Sequence, residues 1–185
     1  MIQGLLLAAG RARRFGSDKL AARLPDGRPV AVASAQALQA AVDRLLAVVR
    51  DAESPGARAL RAAGVEISVC PRADRGLGAS LAWGVARCPD ADGWLVGLAD
   101  MPWLDAESAR AVAEALRAGA PLARPCHRGR DGHPVGFGRE LGAALRDLAP
   151  ERGACRLVER HAGRLRRIPV EDPGVVRDLD RPGDL

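Results

Sequence analysis

The chain has 185 residues, 48% of them hydrophobic, which is enough for one sizeable core and short for two complete domains. Its 28 basic and 23 acidic residues leave a net charge of +5, but the two signs are interspersed. With 3% aromatic residues there is neither a polybasic block nor a stacking ladder, so nucleic-acid binding is not expected and a small phosphorylated ligand accounts for the charge.

The first element is an apolar run over 2–8, which reads as a buried strand. It is too short for a signal sequence or a membrane span, so a cytoplasmic protein without membrane contact is expected. The run opens into "AAGRARRFGSDK", which contains Lys19, the only lysine among 28 basic residues. Arginine is the default wherever a positive charge suffices here, so Lys19 stands out as chosen for a compact, mobile ammonium. The Ala9-Gly10 turn lets backbone approach a ligand closely, its amide N–H groups can cradle phosphate oxygens, and Arg14 adds a planar guanidinium. A Walker A loop is excluded because Ser17 and Asp18 separate Gly16 from Lys19. A dinucleotide fingerprint is weak, since Ala12 and Phe15 occupy the second and third glycine positions.

Further apolar runs at 45–49, 65–70 and 94–98 read as strands, and alanine-rich segments at 30–41, 54–63, 78–87 and 105–118 as helices. Asp105 is the expected N-cap of the last of these. The alternation predicts an α/β protein with a mostly parallel sheet, in which ligands bind outside the carboxyl ends of the strands. Lys19 and Asp100, in "ADMP" after the run at 94–98, then share one edge of the sheet. A carboxylate there can hold Mg²⁺ against phosphate oxygens or cap the following helix; Asp105 serves better as the cap. Gly76, Gly78 and Ser80 precede or open a helix, as expected either beside a flat base or in a turn capped by serine.

After about 120 the pattern loosens. "PLARPCHRGRDGHPVGFG" reads as an irregular excursion ending in a short strand at 134–137, with His133 at its entry. Helical spacing resumes near 139–147 and 152–162, a strand is expected at 164–169, and an extended tail carries Asp178, Asp180 and Asp184, among which spacing does not choose. The cysteines Cys70, Cys88, Cys126 and Cys155 are far apart with no CxxC pair, so neither a zinc site nor a disulfide framework is indicated.

The blocks "LAAGRARRFGSDKL", "RGLGASLAWGV", "DMPWL", "GHPVGF", "ERGACRLV" and "DLDRPGDL" occur in order along nearly the whole chain. Together they resemble the nucleotidyltransferases that attach a nucleotide to molybdopterin, and among them the molybdenum cofactor cytidylyltransferases. Ala12 stands where that family usually has glycine. The resemblance implies a Rossmann-like three-layer nucleotidyltransferase fold spanning 1–185 as one domain, with 1–118 mainly nucleotide-binding and 119–185 mainly acceptor-binding. It implies nucleotide contacts from Leu7, Ala8, Ala9, Gly10, Arg14, Lys19, Gly78, Ser80 and Asp100. Lys19, Arg14 and Asp100 would be catalytic, Asp100 and Asp180 would hold Mg²⁺, and His133 would border the acceptor.

The implied reaction takes CTP and molybdopterin as substrates and serves a recipient molybdoenzyme. Leu7-Ala8-Ala9-Gly10, in place of Leu-Ala-Gly-Gly, favours CTP over GTP. A guanylyltransferase, a transferase acting on another phosphorylated acceptor, and a noncatalytic molybdenum cofactor chaperone are the alternatives.

Overall fold

The computed structural model describes residues 1–10 and 18–185. One sheet of eight strands forms its centre. β1 (Ile2–Ala8) lies between β2 (Arg44–Val49) and β4 (Gly93–Leu98), parallel to both, and β3 (Glu66–Val69) extends the parallel part beyond β2. Beyond β4 the sheet turns mixed: β7 (Val135–Gly138) is antiparallel to β4 and to β5 (Leu122–His127). β5 in turn pairs with the short β6 (Arg130–Asp131) and runs parallel to β8 (Leu165–Pro169).

Burial on both faces explains why the central strands read as unbroken apolar runs. Side chains alternate across a strand. Ile2, Leu6 and Ala8 of β1 join one core with α1 (Val30–Gln39), α2 (Pro55–Ala62) and α4 (Ala106–Arg117), while Leu5, Leu7 and Ala9 join a second with α3 (Leu77–Arg87), α5 (Gly142–Arg146) and α6 (Cys155–Arg160). This is the three-layer arrangement expected, and Asp105 caps α4 through a bond from the Glu107 N–H at 3.1 Å.

The sequence reading missed β5. Its Pro125, with Gly129 and Gly132 following, reads as loop, but pairing with β8 along five registered positions and full burial of Leu122 and Ala123 outweigh that local signal. The expected helices at 139–147 and 152–162 contract to α5 and α6, the first preceded by a 3₁₀ turn at Arg139–Leu141.

The strand order places a switch point at the carboxyl ends of β1 and β4: the chain moves from β1 outward to β3, then returns to β1's other side. In open α/β sheets such a point is where a ligand crevice forms, outside the carboxyl ends of the strands. The C-terminal segment closes over the same edge. The Leu179 N–H donates to the Asp100 carbonyl at 2.8 Å, and its side chain, 0% exposed, packs with Leu24, Val30 and Ala33. Arg177 adds a cation–π contact, 3.6 Å above the Trp103 ring.

Leu179→Ala is expected to lower the unfolding free energy by about 2–4 kcal/mol, the range for emptying a buried leucine site. Denaturant unfolding measures it; an unchanged midpoint would show that the tail is not anchored there.

Candidate functional site

Lys19 reaches the crevice because its neighbours fix the chain. The Asp18 carboxylate accepts from the Leu20 N–H at 3.1 Å and from the Gly56 N–H at 2.9 Å, which caps the 3₁₀ turn Lys19–Ala21 and ties it to the start of α2. Gly56 is required by this contact: a Cβ there would lie 2.7 Å from the Leu20 Cβ. Lys19 Nζ then donates to Asp100 Oδ2 at 2.7 Å and to the Leu179 carbonyl at 2.8 Å. The side chains of Lys19 and Asp100 are 14% and 26% exposed, so the pair is partly withdrawn from solvent.

Asp100 is held from both sides by its backbone. Ser34, buried on α1, donates its hydroxyl to the Ala99 carbonyl at 3.0 Å, and the Asp100 carbonyl accepts from Leu179. The carboxylate therefore leaves the β4 end in a preset direction. The sequence assigns no role to Asp18, Ser34 or the Leu179 carbonyl. The pairing of Asp18 with a position 38 residues away leaves no local signal, and a backbone carbonyl leaves none at all.

The other expected residues distribute unevenly. Leu7, Ala8 and Ala9 are buried at the end of β1, with Gly10 exposed beyond them. Arg14 lies outside the described residues. Asp180 follows the anchored Leu179, with its own side chain exposed and its N–H donating to Asp184 Oδ2 at 3.1 Å. Gly78 and Ser80 sit in the first turn of α3 and are buried. The close backbone approach at Gly78 is made by the chain itself: its N–H donates to the Pro150 carbonyl at 2.9 Å, and a Cβ would lie 2.3 Å from the Ala149 carbonyl oxygen.

His133 lies on a cavity of about 380 Å³ that opens between the sheet and α6. Leu7 and Leu98, from the ends of β1 and β4, line one side, while Arg124, Asp131 and Arg167 bring charge to it. Arg167 donates to Asp131 at 2.9 and 3.2 Å. Burial holds the His133 imidazole down at a pKa of about 4, and the Arg124 charge reinforces this; the Val96 carbonyl and Asp100 carboxylate oppose it. Its Nδ1 is buried without a hydrogen-bond partner among the described residues. At neutral pH the ring is therefore an uncharged hydrogen-bonding group with one unmet nitrogen.

Asp100 and the Leu179 carbonyl converge on one positive centre, the ammonium, and present the hard oxygens that Mg²⁺ also takes. Among the described residues no group of three or more His, Cys, Asp or Glu side chains is placed to hold a metal, so a divalent cation here would draw further ligands from substrate oxygens and water. The four cysteines are free, and no described helix is long and apolar enough to cross a membrane.

Residues 4–165 match the model of the MobA-like NTP transferase domain. The purine catabolism protein PucB of Bacillus subtilis (strain 168) is 28% identical over 195 residues, covering 97% of this chain and 91% of that protein. The crystal structure of Rv0371c from Mycobacterium tuberculosis H37Rv superposes with a TM-score of 0.82 at 31% identity, covering 99% of this chain and 94% of that one. A manganese complex of the same mycobacterial protein gives a TM-score of 0.77 at 29% identity, covering 99% and 95%.

An unfolded histidine titrates near 6.5, and His133 is held at about 4 in the fold. The neutral form is thus favoured by folding, so its contribution is fully present above about 6.5 and is lost as pH falls through that window toward 4. Thermal unfolding followed from pH 7 to 4 is expected to show a shallower acid loss for His133→Gln than for the parent; parallel curves would contradict the assignment.

Proposed function

This chain belongs to the MobA-like NTP transferase family, and from that premise we propose that it transfers CMP from CTP to the terminal phosphate of molybdopterin, releasing pyrophosphate. The observation that carries the reading is the meeting of Lys19, Asp100 and the Leu179 carbonyl at the switch point of the sheet. A lone ammonium beside a strand-end carboxylate suits a triphosphate and its counter-cation. The Leu7-Ala8-Ala9-Gly10 strand end supports CTP as donor, and the cavity beside His133 supports an acceptor with an apolar body and a polar edge. The product would serve a recipient molybdoenzyme.

In this reaction an oxygen of the acceptor phosphate forms a bond to the α-phosphorus of CTP, and the bond from that phosphorus to the bridging oxygen of pyrophosphate breaks. The protein's work is placement and charge stabilisation. Asp100 and Asp180 would hold Mg²⁺, which when bound supplies neutralisation of phosphate charge. Lys19 exchanges the Asp100 carboxylate for phosphate oxygens when the nucleotide enters, and together with Arg14 stabilises charge gathering on the departing pyrophosphate. Gly10, with its N–H, and the α3 start at Gly78 and Ser80 border the nucleotide. His133 meets the acceptor as a neutral hydrogen-bonding group, since a ring held at a pKa of about 4 offers no positive charge to a phosphate at neutral pH.

Incubation with molybdopterin, Mg²⁺ and each nucleoside triphosphate in turn, with the product identified by mass, is expected to give the cytosine dinucleotide with CTP. Product from GTP alone would replace the donor, and nucleotide turnover without loss of molybdopterin would replace the acceptor. In the same assay Lys19→Ala is expected to lower single-turnover rates by about 10²–10³, the scale for deleting one preorganised charge-stabilising group, with incomplete recovery in Lys19→Arg. A parental rate in Lys19→Ala would remove the ammonium from the mechanism.

A further inference from the structure

Arg50, at the end of β2, has no part in the chemistry derived above, yet it joins the two segments that border the nucleotide. Its Nη2 donates to the Ala9 carbonyl at 2.8 Å and to the Ala73 carbonyl at 3.1 Å. One nitrogen thus ties the loop leaving β1 to the 3₁₀ turn Ala73–Arg75 that leads into α3. Its Nε is buried and has no hydrogen-bond partner among the described residues. Burying the Nε of a half-buried guanidinium with its N–H unmet is costly, so stability alone gives little reason for an arginine at this position.

The geometry has a direct effect on the loop. In a trans peptide the carbonyl and the following N–H point in opposite directions. Fixing the Ala9 carbonyl on Arg50 therefore turns the Gly10 N–H away from β2. Gly10 is exposed, and a Cβ added there would meet no atom of the described residues within 4 Å, so among those residues the backbone here is open to a ligand. Without the guanidinium, this exposed peptide can rotate, and ordering it on binding would weaken affinity.

We propose that Arg50 is a positioning residue for the nucleotide: it orients the Ala9–Gly10 peptide so that its N–H faces the triphosphate, and it sets the spacing between that loop and the start of α3. The inference rests on the nucleotidyl-transfer reading of the site, but not on the choice of base or acceptor. Lysine can reach one of the two carbonyls but lacks the planar fork. Methionine keeps the length and apolar stem and removes the donors.

The test uses the full chain carrying Arg50→Met or Arg50→Lys. Before ligand is added, ¹⁵N relaxation is expected to show Gly10 losing order in Arg50→Met while the β1 amides keep theirs. Calorimetric titration then uses whichever of CTP, GTP, ATP and UTP the parent binds most tightly. About 10- to 100-fold weaker binding is expected for Arg50→Met, with partial recovery in Arg50→Lys and thermal midpoints close to the parent. A parent that prefers a nucleotide other than CTP corrects the proposed donor and leaves the Arg50 comparison in force.

Unchanged Gly10 order together with parental affinity in Arg50→Met would overturn the proposal. So would affinity losses that simply follow falling thermal midpoints in both variants. If Arg50→Met does not fold, Arg50→Lys decides: affinity between 2- and 10-fold weaker with a parental thermal midpoint supports the role, and parental affinity overturns it.

Discussion

The Lys19 ammonium, held between the Asp100 carboxylate and the Leu179 carbonyl, is the contact on which the rest of the site depends. It gathers three segments that are remote in sequence: the loop after β1, the end of β4 and the C-terminal tail. A partly buried carboxylate needs a partner because its charge is poorly solvated, and the lysine supplies one. A triphosphate offers the ammonium better acceptors, and a divalent cation offers the carboxylate a better partner. In the proposed reaction the resting pair would give way to both.

That contact works only because the backbone around it is rigid. The Ala99 carbonyl is held by Ser34 and the Asp100 carbonyl by Leu179, so the carboxylate leaves a fixed strand end. Asp18 does the same for the opposite partner by capping the turn that carries Lys19 and docking it on Gly56. The two cores on either face of the sheet hold α1 and β4 in place, which fixes the position of Ser34 relative to Ala99. Stability and function meet at these residues, since the same bonds that seal the edge of the fold aim the groups at its crevice.

Much of this was legible in the sequence. Unbroken apolar runs gave away the central parallel strands because such strands are buried on both faces, and a single lysine in an arginine-rich chain marked the ammonium. The position of Asp100 followed from the rule that strand ends carry ligands. What escaped the reading was set by distant pairing. β5 carries a proline and is followed by two glycines, so its strand character comes from β8, some 40 residues later. Gly78 was read for closeness to a base or for a turn, and the backbone of 149–150 that also packs against it lies some 70 residues later in the sequence, where no local pattern marks it. The Leu179 carbonyl has no side-chain signature, and the acidic tail drew attention to its carboxylates while the buried leucine between them does the anchoring.

The most direct measurement is a crystal structure with Mn²⁺ and a non-hydrolysable analogue of the preferred nucleotide. The account predicts the cation on the Asp100 carboxylate and the Lys19 amine moved onto a phosphate oxygen, with Leu179 still seated. A nucleotide bound elsewhere while the Lys19–Asp100 pair stays closed would contradict it.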